Sequence, residues 1–347
     1  LTSSKRIPVV IKYDYDAAAS YTGGVRGYAA TSPSVTKKAL VRTRPSTNRY
    51  LRYVRDRERA ITGAAQRAVP SLAVTRSYRV VYGGVAATVA GNRIKDLLRV
   101  PGVVAVQPDT LNQPLTDSSI DFINAPAAYT ALRTRANAGQ GLLLGNLDTG
   151  VWPEHPSFAD KGNLPTYSGP ALPCSFGDNP LTPEADPFVC NNKLVGGRAF
   201  LATYDAVQGT AYPYPDLARD GEGHGSHTAS TSAGNIVRNV QTVGPVVDRI
   251  NGVAPGAQVM EYRVCAPEGC FGSDSVAAVQ QAILDGVDVI NFSISGGVRP
   301  YESAVEQAFL DAYAAGVFVA ASAGNDGPGA DTVAHRGPWV TTVAAST

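Results

Sequence analysis

Two short segments carry the side chains that could activate a weak nucleophile. One is Leu147-Asp148-Thr149-Gly150-Val151, the other Gly223-His224-Gly225-Ser226-His227-Thr228. A serine hydroxyl is inert at neutral pH until an imidazole takes its proton, and a buried carboxylate holds that imidazole in the correct tautomer. Asp148 and His224 have the residue types for the orienting carboxylate and the general base. Each also has a plainer reading. Asp148 before Thr-Gly could form a turn or belong to an aspartic-protease signature, but that mechanism needs a second such aspartate, and the chain holds no other Asp-Thr-Gly or Asp-Ser-Gly. His227 reads as structural, and Asn325, taken alone, as a turn residue.

The elements that would position these residues begin near residue 118, where helices alternate with apolar strands in the pattern of a parallel α/β sheet. Residues 142–147 form an apolar run ending in Asp148, at the carboxyl end of a strand, where such sheets place their chemistry. The glycine-rich loop 220–223 delivers His224 to a helix expected over 229–233. Further strands are expected at 259–264 and 287–293, with a helix near 273–284 between them. A helix near 304–315 then leads to a strand at 317–322, which ends at Ala323-Gly324-Asn325-Asp326-Gly327.

The N-terminal third has a different pattern. A β-like run covers 7–15, and residues 20–46 read as an irregular loop. A helix is expected over 48–69, capped by Ser46 or Thr47 and stopped by Pro70, with Leu51, Val54, Ile61, Ala65 and Ala68 at helical spacing. Strands at 77–82 and 85–90 flank Gly83-Gly84, a hairpin signal. A helix at 92–99, the Pro101-Gly102 turn and a strand at 103–106 complete a β-α-β-β-α-β order, a small α+β ferredoxin-like domain.

Charge divides the chain at the same place. Residues 1–113 hold 19 Lys and Arg against 6 Asp and Glu, net +13, while the rest holds 11 against 23, net −12, for a total of +1. Opposite signs favour docking of one part on the other, weakened by salt. The basic residues are dispersed through patterned segments, not gathered in a tract, which argues against nucleic acid as a partner. No apolar run reaches transmembrane length, and the absence of an initiator Met is read as trimming of a leader. Cys174, Cys190, Cys265 and Cys270 lack zinc-ligand spacing. Three disulfide connectivities are open, of which 174–190 and 265–270, each closing a short loop, are expected; pairing of this kind suits an exported protein.

Five motifs occur in the order found in subtilisin-like serine proteases: Asp148-Thr-Gly, Gly223-His224-Gly-Ser-His-Thr, Gly252-Val-Ala-Pro255-Gly-Ala, Gly286-Val-Asp-Val-Ile290-Asn-Phe-Ser293 and Ala323-Gly-Asn325-Asp-Gly. Residues 115–347 thus resemble that family's catalytic domain, with Ser226 where threonine is usual and Ser295 where glycine is frequent. The resemblance implies Asp148, His224 and Asn325 as catalytic residues, Asn325 as the oxyanion-hole amide. Ser293, Ile294, Ser295, Gly296 and Gly297, with Ser322, Ala323 and Gly324, would be the cleft edges that pair with an extended peptide substrate. Residues 5–110, through Tyr78, Gly84-Val85-Ala86-Ala87 and the 98–109 stretch, resemble the family's inhibitor propeptide, whose tail lies in the cleft until cleaved; cleavage is expected between Gln107 and Ser118.

The segments around the cysteines resemble the larger secreted subtilases of the cucumisin and bacterial protease-associated-domain type. There the serine follows a domain inserted after a segment like 339–347, so the Gly-Thr-Ser setting, absent here, is expected beyond this stretch. The domains are then 1–113, an inhibitor and folding-chaperone propeptide, and 114–347, an incomplete peptidase domain. The expectation is a secreted, extracellular serine endopeptidase precursor, inactive as this piece alone. Its partners would be protein or peptide substrates and its own propeptide, with no membrane and no nucleic acid. The alternative is an inactive peptide-binding or inhibitory relative. No cofactor or metal is implied except a structural calcium, left open because no EF-hand-like run occurs and Asp178 and Asp186 read as loop charges.

Overall fold

The structure, a computed structural model, describes residues 4–112, 120, 123–240, 247–327 and 329–344. The N-terminal part folds on strands β1 (Arg6–Tyr13), β2 (Ala73–Tyr78), β3 (Gly84–Ala90) and β4 (Val103–Pro108), with helices α1 (Pro45–Ala68) and α2 (Ile94–Leu97). Their order, β2-β3-β1-β4 with antiparallel pairing, is that of a split βαβ unit. Alternation along β1 explains why this sheet buries two faces. Val9, Ile11 and Tyr13 pack with Tyr50, Val54, Ile61 and Ala65 of α1, and the intervening Val10 joins Tyr78 and Ala86 in a core shared with the rest of the chain.

Several boundaries differ from the sequence expectation: β1 ends at Tyr13, short of 15, and α2 covers Ile94–Leu97 within the expected 92–99. The second strand lies at Ala73–Tyr78, not 77–82, because Val80, Val81 and Tyr82 turn away to pack on the second part. Their backbone is satisfied there: Gln280 Oε1 accepts from Arg79 N and Val80 N at 3.0 Å each, and Asp311 Oδ2 accepts from Tyr82 N at 2.6 Å. Helix α1 starts at Pro45 without a side-chain cap, since a proline at the first helical position already has the right φ and no N–H to satisfy.

The second part is built on a six-stranded sheet, all of whose neighbouring strands are parallel: β6 (Leu143–Asp148), β7 (Leu194–Ala199), β10 (Gln258–Arg263), β13 (Val289–Phe292), β14 (Phe318–Ser322) and β15 (Thr341–Val343), ordered β15-β14-β13-β6-β10-β7. Every residue of β6 and β10 is buried, as expected of central strands covered on both faces. Helices α3 (His224–Ala233), α4 (Gly272–Asp285) and α5 (Ala304–Ala314) flank the sheet, and α3 starts five residues before its expected position, at His224 itself. A hairpin of β8 (Val237–Val240) with β9 (Val247–Ile250) stands apart.

A small sheet joins the two parts. Strand β5 (Leu111–Asn112) pairs antiparallel with β12 (Gly269–Phe271), which pairs with β11 (Cys265–Ala266). Both expected disulfides, Cys174–Cys190 and Cys265–Cys270, are formed.

Candidate active site

Asp148 ends the central strand β6 and is fully buried, while His224 opens α3 beside it. Their side chains meet with His224 Nδ1 2.7 Å from Asp148 Oδ1. The carboxylate is fixed from two other directions, by Thr149 N at 2.7 Å on Oδ1 and by Thr228 Oγ1 at 2.9 Å on Oδ2. Thr228 lies one helical turn after His224, so both side chains leave the same face of α3. Charge-assisted bonds of this kind hold the acceptor in one orientation.

The start of α3 is held in turn by Asp220. Its Oδ1 accepts from Glu222 N, Gly223 N and Thr149 Oγ1, and its Oδ2 from Ser226 N and Ser226 Oγ, at 2.6–3.1 Å. Negative charge here also suits the positive end of the helix dipole. Ser226, where threonine is the family's habit, still fills this role through its hydroxyl, which accepts from Trp152 N at 2.8 Å. Gly225 is needed for close approach, because a Cβ there would overlap the Gly150 carbonyl oxygen.

Beneath Asp148, Asn146 donates to Glu261 Oε2 at 2.9 Å and accepts from Asn291 Nδ2 at 3.0 Å. Burial pushes the Glu261 carboxyl well above its ordinary range.

Asn325 lies in the exposed bend just after β14, at the same end of the sheet as Asp148. Ser293 is buried, its hydroxyl 3.0 Å from Asn291 Nδ2. Ile294 is also buried, and its carbonyl accepts from Ser322 Oγ at 3.0 Å, so this residue faces inward. Ser295, Gly296 and Gly297 instead line a cavity of about 300 Å³, closed on the other side by Pro108, Asp109 and Thr110. Ala323 and Gly324 continue from β14, with Ala323 N bonded to the Val343 carbonyl at 2.8 Å. His227 is exposed.

Sequence reasoning quoted Thr149, Asp220 and Thr228 without giving them roles. The four-residue spacings 220–224 and 224–228 carry that information, because a loop and a helix that present one imidazole must fix the backbone one turn to either side. It also passed over His335 and Glu306, which meet deep behind the 295–297 segment.

These geometries have known counterparts. A family model described as the subtilase family matches residues 139–347. The chain belongs to the subtilase family. It is 39% identical over 279 residues to subtilisin-like protease SBT1.5 of Arabidopsis thaliana, covering 79% of this chain and 35% of that protein. Subtilisin-like protease SBT3.9 of the same plant is 35% identical over 281 residues, covering 79% and 37%. The chain thus spans about a third of the length of the curated relatives it matches. Among solved structures, fervidolysin from Fervidobacterium pennivorans, a keratinolytic enzyme related to subtilisin, shares the fold at TM-score 0.51 and 15% identity, over 97% of this chain and 42% of that one.

Asp178 and Asp186, the acids weighed for calcium, are exposed in the Cys174–Cys190 loop. Among the described residues, no three or more His, Cys, Asp or Glu side chains group closely enough to hold a metal ion, and no helix is long and apolar enough to cross a membrane.

Proposed function

We propose that this chain is the front part of a secreted serine endopeptidase precursor, with residues 114–347 supplying Asp148, His224 and Asn325 to a triad whose serine lies outside these residues. The observation that carries the reading is the Asp148–His224 contact of 2.7 Å at the carboxyl end of a parallel sheet in a subtilase. With Nδ1 bound to Asp148, Nε2 is the ring nitrogen that would take the serine proton as its oxygen bonds the scissile carbonyl carbon. The same proton then passes to the leaving amine, and water hydrolyses the acyl-enzyme by the reverse route. Asn325 would donate its side-chain N–H to the oxyanion. Two disulfides favour an oxidising, extracellular setting.

Residues 1–113 act in this reading as chaperone and inhibitor. Support comes from β5, which adds to β12 as a peptide strand adds to an exposed edge, and from Pro108–Thr110 closing the cavity opposite Ser295 to Gly297. Of the cleavage range expected between Gln107 and Ser118, residues 113–118 lie outside the described residues.

The natural protein, freed of residues 1–113, should cleave unfolded protein substrates and be labelled by a serine-directed organophosphonate. Asp148→Asn should lower kcat by about 10⁴, since the imidazole loses its tautomer control. Absence of both cleavage and labelling in the wild-type protein would leave the inactive peptide-binding relative as the correct reading.

A further inference from the structure

His335 and Glu306 are both fully buried, away from Asp148 and His224, and the triad reading gives them nothing to do. Glu306 lies in the first turn of α5 and His335 on the segment leading to β15. His335 Nδ1 is 2.6 Å from Glu306 Oε1, and its Nε2 is 2.8 Å from the Ile294 carbonyl oxygen. The ring is held edge-on to Phe292 and tilted against Phe309, with centroids 5.4 and 5.9 Å away.

Proton counting restricts this arrangement. A carbonyl oxygen can only accept, so Nε2 carries a hydrogen. At 2.6 Å from a carboxylate, Nδ1 also has a proton between it and the oxygen. Both ring nitrogens are therefore engaged, one by Glu306 and one by the Ile294 carbonyl, and losing either bond would leave a buried polar group unpaired.

The partners are the walls of the candidate cleft. Beside the ring contact to Ile294, His335 N donates to the Gly296 carbonyl at 2.8 Å and Arg336 N to that of Gly297 at 3.4 Å. Ala334 N donates to the Ala323 carbonyl, two residues before Asn325, at 2.8 Å. Glu306 Oε2 accepts from Gly337 N at 3.1 Å. Gly297, at φ +64°, packs so closely that a Cβ would lie 2.6 Å from Glu306 Oε1 and 2.8 Å from His335 Nδ1. Other charged groups stand further out, with Asp109, Arg299 and Glu302 around the cavity above and Asp331 and Arg336 on the opposite side.

We propose that His335 and Glu306 form a buried clamp that positions the 294–297 wall of the peptide cleft against the 323–325 segment. The link to substrate turnover rests on the peptidase reading; the clamp itself does not. His335 and Glu306 are positioning residues and touch no substrate.

Glu306→Gln is the conservative control. Its amide can donate to Nδ1 of His335 and still accept from Gly337 N, so every bond survives. His335→Phe keeps the ring packing and removes both ring bonds. Hydrogen exchange of the natural protein at pH 7, corrected for intrinsic rate, should show residues 334–337 protected, since their amides donate to the 296–297 and 323 carbonyls and to Glu306. Glu306→Gln should keep that protection, and His335→Phe should lose about tenfold of it. In an active enzyme His335→Phe should lower kcat/KM by about 10- to 100-fold, the scale of an ångström's misplacement.

The clamp is refuted if Glu306→Gln loses the protection of 334–337, or if folded His335→Phe keeps it. Should His335→Phe fail to fold, Glu306→Ala, which removes the partner of Nδ1, decides in its place, and retained protection there refutes the clamp. A wild-type protein without peptidase activity would sink the peptidase reading and leave the exchange result to judge the clamp.

Discussion

Asp109 offers a test of how the N-terminal part is held. It follows β4, and its carboxylate is buried against the start of α4, where Oδ1 accepts from Ser273 N at 2.9 Å while Oδ2 has no partner among the described residues. The amide bonds and the positive end of α4 favour the ionised form. Burial outweighs them and raises the carboxyl from its ordinary 3.8 to about 6. The docked chain therefore binds this proton more tightly than the released chain. The contribution to docking is fully present below pH 3.8 and is lost as pH rises through about 6.

From that shift, the ionised carboxylate costs the docked state about 3 kcal/mol at pH 7.5, of which acidification to pH 4.5 recovers about 2 kcal/mol. Asp274 and Asp311, also raised by burial at this interface, change in the same direction, so the measurement must be a difference. Asp109→Asn keeps an acceptor for Ser273 N and cannot ionise. Denaturant unfolding of both forms at pH 4.5 and 7.5 should show the variant more stable at pH 7.5, with the gap closing by about 2 kcal/mol in acid. A gap that stays constant with pH, or a variant that is less stable at pH 7.5, would refute the reasoning.

Three further outcomes are expected. If the peptidase reading holds, Asn325→Ala should lower kcat by about 10²–10³ with little change in KM, measured by steady-state cleavage of a peptide substrate, because an oxyanion donor acts on charge that develops only in the transition state. Gly225→Ala should push α3 off the end of β6, costing about 1–3 kcal/mol in denaturant unfolding and abolishing cleavage through loss of the His224–Asp148 contact. Replacing Cys174 and Cys190 by serine opens a loop with a sequence separation of 16 and should lower stability by about 3 kcal/mol, since the unfolded chain regains that loop's entropy.

Much of this was legible in the sequence, for identifiable reasons. Strands β6, β13 and β14 are short, largely apolar runs, β10 is buried throughout although it carries Gln258, Glu261 and Arg263, and Asp148 ends β6 while Asn325 follows β14. The split βαβ order could be read because each element of the N-terminal part has its own periodicity. Interactions distant in sequence could not be read. Val80 to Tyr82 look like strand residues, yet Gln280 and Asp311, some 200 and 229 positions away, take their amides and turn the segment outward. His335 stands in a segment with no periodicity, and its meaning depends on Glu306, 29 residues earlier. Local pattern reports what a residue is next to in the chain, and both of these sites are made of residues that are not.

The interface between the two parts shows why the N-terminal sheet is poorly suited to stand alone. Val10, Tyr78, Val80, Val81, Tyr82 and Ala86 share a core with the second part, to which their own helix adds only the partly buried Leu51. Uncovering them would expose apolar surface and leave three backbone amides without Gln280 and Asp311, although water could replace those bonds. An unmade bond to a buried amide costs about 1–3 kcal/mol, whereas a made one contributes about 0.5–1.5 kcal/mol net. The polar contacts therefore discriminate against misdocked arrangements more than they strengthen the correct one. The apolar face supplies the affinity, and Asp109, Gln280 and Asp311 set the register that brings β5 onto β12 beside the cleft.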